Sequence, residues 1–96
     1  MSTYQGRAIL ITDEGVEIAV GAQLRSWRDG RRASWGGRLT IDGEYWDILK
    51  NKDEGLRLRL TNGNEATFNR PHKQDIPAFP GAPFFFTVMG DGDVPF

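Results

Sequence analysis

Three groups of residues in this chain are of types that could do chemistry. The first is His72 with Asp75 three positions on, and with Arg70 and Lys73 beside them. An imidazole next to a carboxylate could take and return a proton, if a pocket also brought a second polar group to the substrate. No nucleophile joins them. Ser2, Ser26 and Ser34 lie at the terminus or in strand-like stretches, without the strained elbow that exposes a hydrolase serine. A single histidine in a loop is most simply a solvated one.

The second group is acidic: Asp13-Glu14, Lys52-Asp53-Glu54-Gly55 and Asp91-Gly92-Asp93. A calcium loop needs more oxygen ligands at fixed spacing and a distant glutamate, which these runs lack. Their Asp and Gly content is that of turns, where short polar side chains satisfy backbone groups. No metal site is expected, and no cofactor, since no glycine-rich strand-to-helix phosphate loop is visible.

The third group is basic and aromatic. Residues 25–39, RSWRDGRRASWGGRL, hold five arginines and two tryptophans. Guanidinium groups bind phosphates, and an exposed indole can stack on a base. The same residues could equally be the wet outer face of a hairpin, with arginine stems shielding the tryptophan. Which description applies depends on the elements that carry them.

Those elements read as strands. Asp29-Gly30 is a strong two-residue turn signal. Folding there sets Leu24 opposite Trp35, Ala22 opposite Gly37, Val20 opposite Leu39 and Ile18 opposite Ile41. Trp35 is then core, with Gly36 and Gly37 giving room for its ring or for a bulge. Arg25, Arg32, Arg38 and Trp27 share the outer face, Trp27 directly across from Arg32. Asp13-Glu14-Gly15 reads as a three-residue loop with Gly15 left-handed. It sets Leu10 opposite Ile18, Ala8 opposite Val20, Tyr4 opposite Leu24, and Arg7 on the outer face opposite Gly21. Ile9 and Ile11 then point outward, as in a sheet covered on both sides.

Residues 42–50 fit a short helix capped by Asp42, with Tyr45, Ile48 and Leu49 on one side and Trp46 near it. Asp42-Gly43 could instead turn another hairpin. Residues 56–68 alternate, with Leu56, Leu58 and Leu60 inward. A three-residue loop with Asn64 left-handed sets Leu60 against Ala66 and Leu58 against Phe68. Residues 69–83 hold four prolines and read as a long loop. FFFTVM, from Phe84 to Met89, is apolar on both parities and reads as a strand buried on both faces. Phe96 is expected to dock on the body of the protein.

Composition limits the jobs available. Ninety-six residues suit one domain, 1–96, with a small core and little volume for an enclosed pocket. Twelve glycines and five prolines favour turns and strands over helices. Twelve basic and thirteen acidic residues give no global field toward nucleic acid or a membrane. There is no cysteine, hence no disulfide framework or thiolate metal site. With no apolar leader and no long apolar run, the expectation is a soluble cytoplasmic protein.

Three blocks carry a resemblance: SWGGRL (34–39), LRLRLTNGNEATFNRP (56–71) and GDGDVPF (90–96). Over nearly its whole length the chain resembles a group of short bacterial proteins of actinobacterial type, in which these blocks occur in the same order. More faintly, YQGRAILI and DGRRASWGGRL are similar to a small domain of unknown function sometimes fused to flavin-dependent monooxygenases. These resemblances imply a self-standing domain and carry no activity, cofactor or catalytic residue.

The expected fold is all-β: a small antiparallel six-stranded barrel or rolled sandwich with one short helix. The expected function is a non-enzymatic binding or interaction module, with a protein partner or a second copy of itself. Its candidate interface is Phe79, Phe84, Phe85, Ile9 and Ile11, exposed if the proline-rich loop does not pack down as a lid. The alternative is nucleic-acid or polyanion binding through Trp27, Arg25, Arg32, Arg38 and Arg7. A third reading is a small hydrolase or isomerase using His72 and Asp75.

Overall fold

Two loops with the same hydrogen bonding begin and close the sheet. In each, a residue donates its amide to a carbonyl four positions on and accepts from the amide three positions on. Thr12 bonds Val16 and Gly15 at 3.0 and 2.9 Å; Leu60 bonds Asn64 and Gly63 at 2.9 and 3.0 Å. The third loop residue is left-handed in both, Gly15 at φ 85° and Gly63 at φ 87°, a conformation open to glycine without steric cost. The computed structural model describes residues 2–52, 54–71, 76–91 and 93–96, and the backbone but not the side chains of Asp29 and Asp91. The suggested pairing of His72 with Asp75 lies outside the described residues.

The strands are β1 (Thr3–Ile11), β2 (Glu17–Asp29), β3 (Arg32–Ile41), β4 (Leu56–Leu60), β5 (Glu65–Asn69) and β6 (Phe84–Asp91). They form a closed antiparallel barrel in the order β1-β2-β3-β6-β5-β4. β1 completes the ring by pairing β2 along its whole length and β4 through Ala8–Leu60 to Ile11–Arg57. Closure leaves no long open edge.

The period-two alternation fills the interior. Ala8, Leu10, Ile18, Val20, Ala22, Leu24, Trp35, Leu39, Ile41, Leu56, Leu58, Leu60, Phe68, Phe84, Phe86 and Val88 are all buried. Each large apolar side chain so buried contributes about 1.5–3 kcal/mol. The first hairpin pairs as expected: Leu10–Ile18, Ala8–Val20, Tyr4–Leu24 and Arg7–Gly21.

Two other hairpins keep the expected faces but slide by two residues. β2 and β3 turn at Gly30-Arg31, so Asp29 pairs Arg32, Ser26 pairs Trp35, Leu24 pairs Gly37 and Ala22 pairs Leu39. β4 and β5 pair Leu58 with Ala66 and Leu56 with Phe68. Their left-handed loop residue is Gly63, not Asn64. A two-residue slide returns each side chain to its own face, so the core set survives it.

Both ends of the barrel are plugged. At one end Asp42 caps a 3-10 turn (Gly43–Tyr45), its carboxylate accepting from the Glu44 amide at 3.3 Å. The turn runs into α1 (Trp46–Leu49). Leu49 is fully buried and the Trp46 ring stands edge-on to Phe84 at 5.1 Å. Ile48, expected on the packed side, is 45% exposed. Arg70 secures this end from within. It is buried, its guanidinium 3.6 Å from the Phe86 ring centre, and it donates to the carbonyls of Leu49 and Lys52 at 3.4 and 3.0 Å. A cation suits the carbonyl end of a helix.

At the other end the last residues fold back. Phe96 lies 6.2 Å from Tyr4 and 6.3 Å from Trp35, and Asn62 and Asn64 both donate to the Pro95 carbonyl at 3.0 Å. Trp35 has no exposed surface. The room for its ring comes from Gly90, where a Cβ would fall 1.9 Å from the indole. Gly36 and Gly37 serve a different purpose. A Cβ there would meet the Val88 and Gln23 carbonyls at 2.6 and 2.1 Å, so they let neighbouring backbones approach.

β6 is not buried on both faces. Phe84, Phe86 and Val88 point in, while Phe85 and Met89 stand out in solvent. Among the described residues, no helix is long and apolar enough to cross a membrane.

Overpacking a core side chain typically costs about 1–3 kcal/mol. Gly90→Ala is therefore expected to lower the urea-unfolding free energy by at least about 2 kcal/mol. Trp35→Leu in the same chain should make the pair less damaging than the sum of the single changes. Strict additivity of the two would show that Gly90 is not there for the indole.

Candidate functional site

The outer surface of β1, β2, β3 and β6 is built by register. Three rows cross it: Thr3–Arg25–Gly36–Met89, Gln5–Gln23–Arg38–Thr87 and Arg7–Gly21–Thr40–Phe85. Beyond the first row the neighbours stop. β1 last pairs β2 at Thr3–Arg25, and β6 last pairs β3 at Gly36–Met89. Beyond the buried Ser26–Trp35 pair, residues 27–34 therefore project as a two-stranded arm, roughly 10 Å of ribbon at the strand rise, and the molecule measures 42 × 25 × 22 Å. Ser2 and Ser26 tie its base: the Ser26 amide donates to the Ser2 carbonyl at 2.8 Å, and the Ser2 amide to Ser26 Oγ at 2.9 Å.

Trp27 sits at the root of the arm, half-buried. Its ring lies across Gly36: Cη2 is 3.4 Å from where a Gly36 Cβ would be, and Met89 Sδ is 3.3 Å from the same point. The cation over Trp27 is Arg25, at 5.8 Å. Arg32, expected opposite Trp27, pairs Asp29 nearer the tip, and Ser34 takes the place across from the indole. A second cation–aromatic pair stands on the same face, Arg38 over Phe85 at 4.7 Å. The two guanidiniums, but neither ring, also line an open hollow of about 540 Å³ over β1, β2 and β3, with Thr3, Gln5 and Gln23. Arg38 donates to Gln23 Oε1 at 3.4 Å across it. Arg7 borders a neighbouring hollow with Ala19, Gly21 and Thr40.

The charges are sorted. Arg57 and Arg59 of β4 pair with Glu65 and Glu17, and Lys52 holds Asp13 at 2.7 Å and Glu14 at 2.9 Å. Arg7, Arg25, Arg28, Arg31, Arg32 and Arg38 are exposed, and among the described residues none of them has a carboxylate within 4.0 Å. Arg28 stands on the opposite face of the arm from Trp27, and Arg31 is in its turn.

The apolar candidates do not assemble. Phe84 is 1% exposed and Ile11 is buried, so neither can contact a partner. Ile9 lies in a hollow of β1, β2 and β4 with Arg7, Ala19, Arg59 and Leu60. Phe85 is three strands away on β6, roughly 14 Å at sheet spacing. Phe79 is 65% exposed in the segment before β6. Met89, which sequence patterning assigns to a doubly buried strand, belongs to the Trp27 platform. Reading Phe84, Phe86 and Val88 as one inward parity would have found it. Gln23, Gln5 and Thr3 follow from Arg25 by the same parity.

No family model matches the chain, and no curated protein or solved structure matches it. The geometry alone bears on function.

The Lys52 cluster joins the first loop to the segment after α1. Its hydrogen bond to Lys52 holds the Asp13 carboxyl below its ordinary 3.8, and those to Asp13 and Glu14 hold Lys52 above 10.5. A depressed carboxyl stabilises the fold above its unfolded value and loses that contribution as the pH falls through its folded one. Lys52 loses its share only in strong alkali. Asp13→Asn is expected to flatten the acid limb of a stability–pH curve below pH 3.8. An unchanged limb would show that the pair contributes nothing.

Proposed function

We propose that this protein is a non-catalytic binding module for an anionic polymer, gripped by the outer face of β1, β2, β3 and β6 and by the arm. One observation carries the reading. Six of nine arginines gather on that face and arm without carboxylate partners among the described residues, while the arginines of β4 are paired. In a chain of net charge −1 such segregation is not a by-product of composition. The open, shallow hollows suit a polymer lying along the surface better than a small substrate, which needs enclosure. A cysteine-free domain fits a reducing compartment, and the reading is of a cytoplasmic protein.

A polyanion column tests this directly. The protein is expected to be retained on heparin at low salt, and Arg25→Ala with Arg38→Ala to elute earlier. The slope of log affinity against log salt should fall by about 0.7–0.9 for each anion-binding arginine removed. The control is Arg57→Ala with Arg59→Ala, which removes the same charge from the paired side. Equal elution of the two double variants would reduce the effect to net charge and sink the proposal.

Self-association is a second reading, favoured by the exposure of Ile76 and Phe79, at 70% and 65%. Exposed apolar side chains that join into one contiguous patch mark an interface. A sedimentation coefficient that rises with concentration, and stops rising in Phe79→Ser, is the expected outcome. A concentration-independent monomer would rule this reading out.

A further inference from the structure

Unpaired arginines accept sulfate, carboxylate or phosphate alike, so they do not name the polymer. The rings between them do. We infer that the polymer is a single-stranded nucleic acid, its bases stacked on Trp27 and Phe85 and its phosphates held by Arg25 and Arg38. This rests on the polyanion reading and narrows it.

A flat, half-covered ring recognises another flat ring. Trp27 is half-buried, its Cη2 against Gly36 with Met89 Sδ beside it and Arg25 over the ring. Phe85 is 45% exposed. A sulfated or carboxylated polymer has no π-face to lay on either. Nucleic-acid bases do, but in a duplex those faces are occupied by neighbouring bases. Unpaired bases offer them freely.

Each ring also has its own guanidinium, Arg25 at 5.8 Å from Trp27 and Arg38 at 4.7 Å from Phe85. A base that displaced the guanidinium from the ring face would leave that cation beside it for the phosphate attached to the same nucleotide. Met89, next to Trp27, and Phe85 are four residues apart on β6, roughly 13 Å. The hollow alongside, which Arg25 and Arg38 also line, presents the hydroxyl of Thr3 and the amides of Gln5 and Gln23, which can donate and accept. Rings, cations and mixed donors along an open track are the elements of sequence-tolerant strand binding. The arm offers the counter-hypothesis. A two-stranded ribbon can enter a major groove, and Arg28, Arg31 and Arg32 would then meet duplex phosphates without Trp27.

Fluorescence anisotropy of the full chain separates these. The probes are a labelled oligothymidine, a mixed-sequence duplex of the same length and a labelled heparin fragment, all at one low salt concentration. The single strand is expected to bind at least about fivefold tighter than the duplex, the loss of one stacked base being worth about that or more. Trp27→Ala should cost the single strand a similar factor and leave heparin unchanged, while Trp27→Phe restores most of it. Circular dichroism checks that the variants fold. Phe85→Ala, at an outward position, gives the same readout if Trp27→Ala does not. Equal affinity for single strand and duplex, with heparin binding still dependent on Arg25 and Arg38, would overturn this inference and leave the polyanion reading standing. No binding to any of the three probes would remove both.

Discussion

The Trp35 indole fills the end of the barrel from which Tyr4, Leu24 and Gly90 depart, and much of the molecule is arranged to admit it. Gly90 leaves out its side chain so that β6 can pass behind the ring. Phe96 closes over it edge-on, and the Asn62 and Asn64 amides hold the carbonyl before Phe96. These contacts join β3, β6, the β4–β5 loop and the last residues of the chain, which are far apart in sequence. The closing seam runs through β4, a strand of only five residues, and so has few hydrogen bonds to hold it. One large, fully buried side chain touching several of its parts does for that end what Arg70 does for the other. There a cation is stacked on Phe86 and bonded to the carbonyls at the end of α1. Both plugs act on pieces that would otherwise fray.

The same inequality of strand lengths creates the surface. β4 and β5 span five residues each, while β2 runs for thirteen. A ring closed by short strands cannot cover a long hairpin, so β2 and β3 overshoot it. Their excess becomes an arm, and the row where the arm leaves the barrel holds Arg25, Gly36 and Met89. Gly36 and Gly37 are required there because the backbones of neighbouring strands press within reach of any Cβ. The absence of a side chain at Gly36 also makes the flat bed for Trp27. The requirement of the fold and the shape of the candidate site meet at one residue.

The fold class is legible in the chain because apolar alternation repeats every two residues and names the buried face directly. That rule puts Trp35, Leu39, Leu56, Leu58 and Leu60 inward, and there they lie. Register is harder. Asp29-Gly30 and a loop through Asn64 are good local turns, but a slide of two residues keeps every face. Hydrophobic patterning therefore cannot choose between them. The choice falls to backbone contacts such as Gly37 against the Gln23 carbonyl, which leave no trace in composition. The outer set of Trp27, Arg25, Arg32, Arg38 and Arg7 is legible for the same reason of parity. Its internal partners are not, because a slide of two exchanges Arg32 for Ser34 across from Trp27. Phe84 and Phe85 show the remaining weakness. In an unbroken apolar run, alternation carries no signal, and only the pairing of β6 with β3 decides which ring goes in.

A nearly neutral protein cannot draw a polymer from afar. With twelve basic and thirteen acidic residues its long-range field is close to zero, and at physiological salt charges are screened beyond about 8 Å. The attraction proposed for a polymer would therefore be local, set by which cations are free where it lands. Here the acids of the first loop hold Lys52, and Glu17 and Glu65 hold Arg59 on the β4 side. Neutralisation on that side leaves the β2–β3 side positive without making the whole molecule so. Under the proposed function it also gives the rings a part. When electrostatic capture is short-ranged, non-ionic contacts must supply a larger share of the affinity. One half-buried and one exposed aromatic, each with a guanidinium over it, give a surface of that kind.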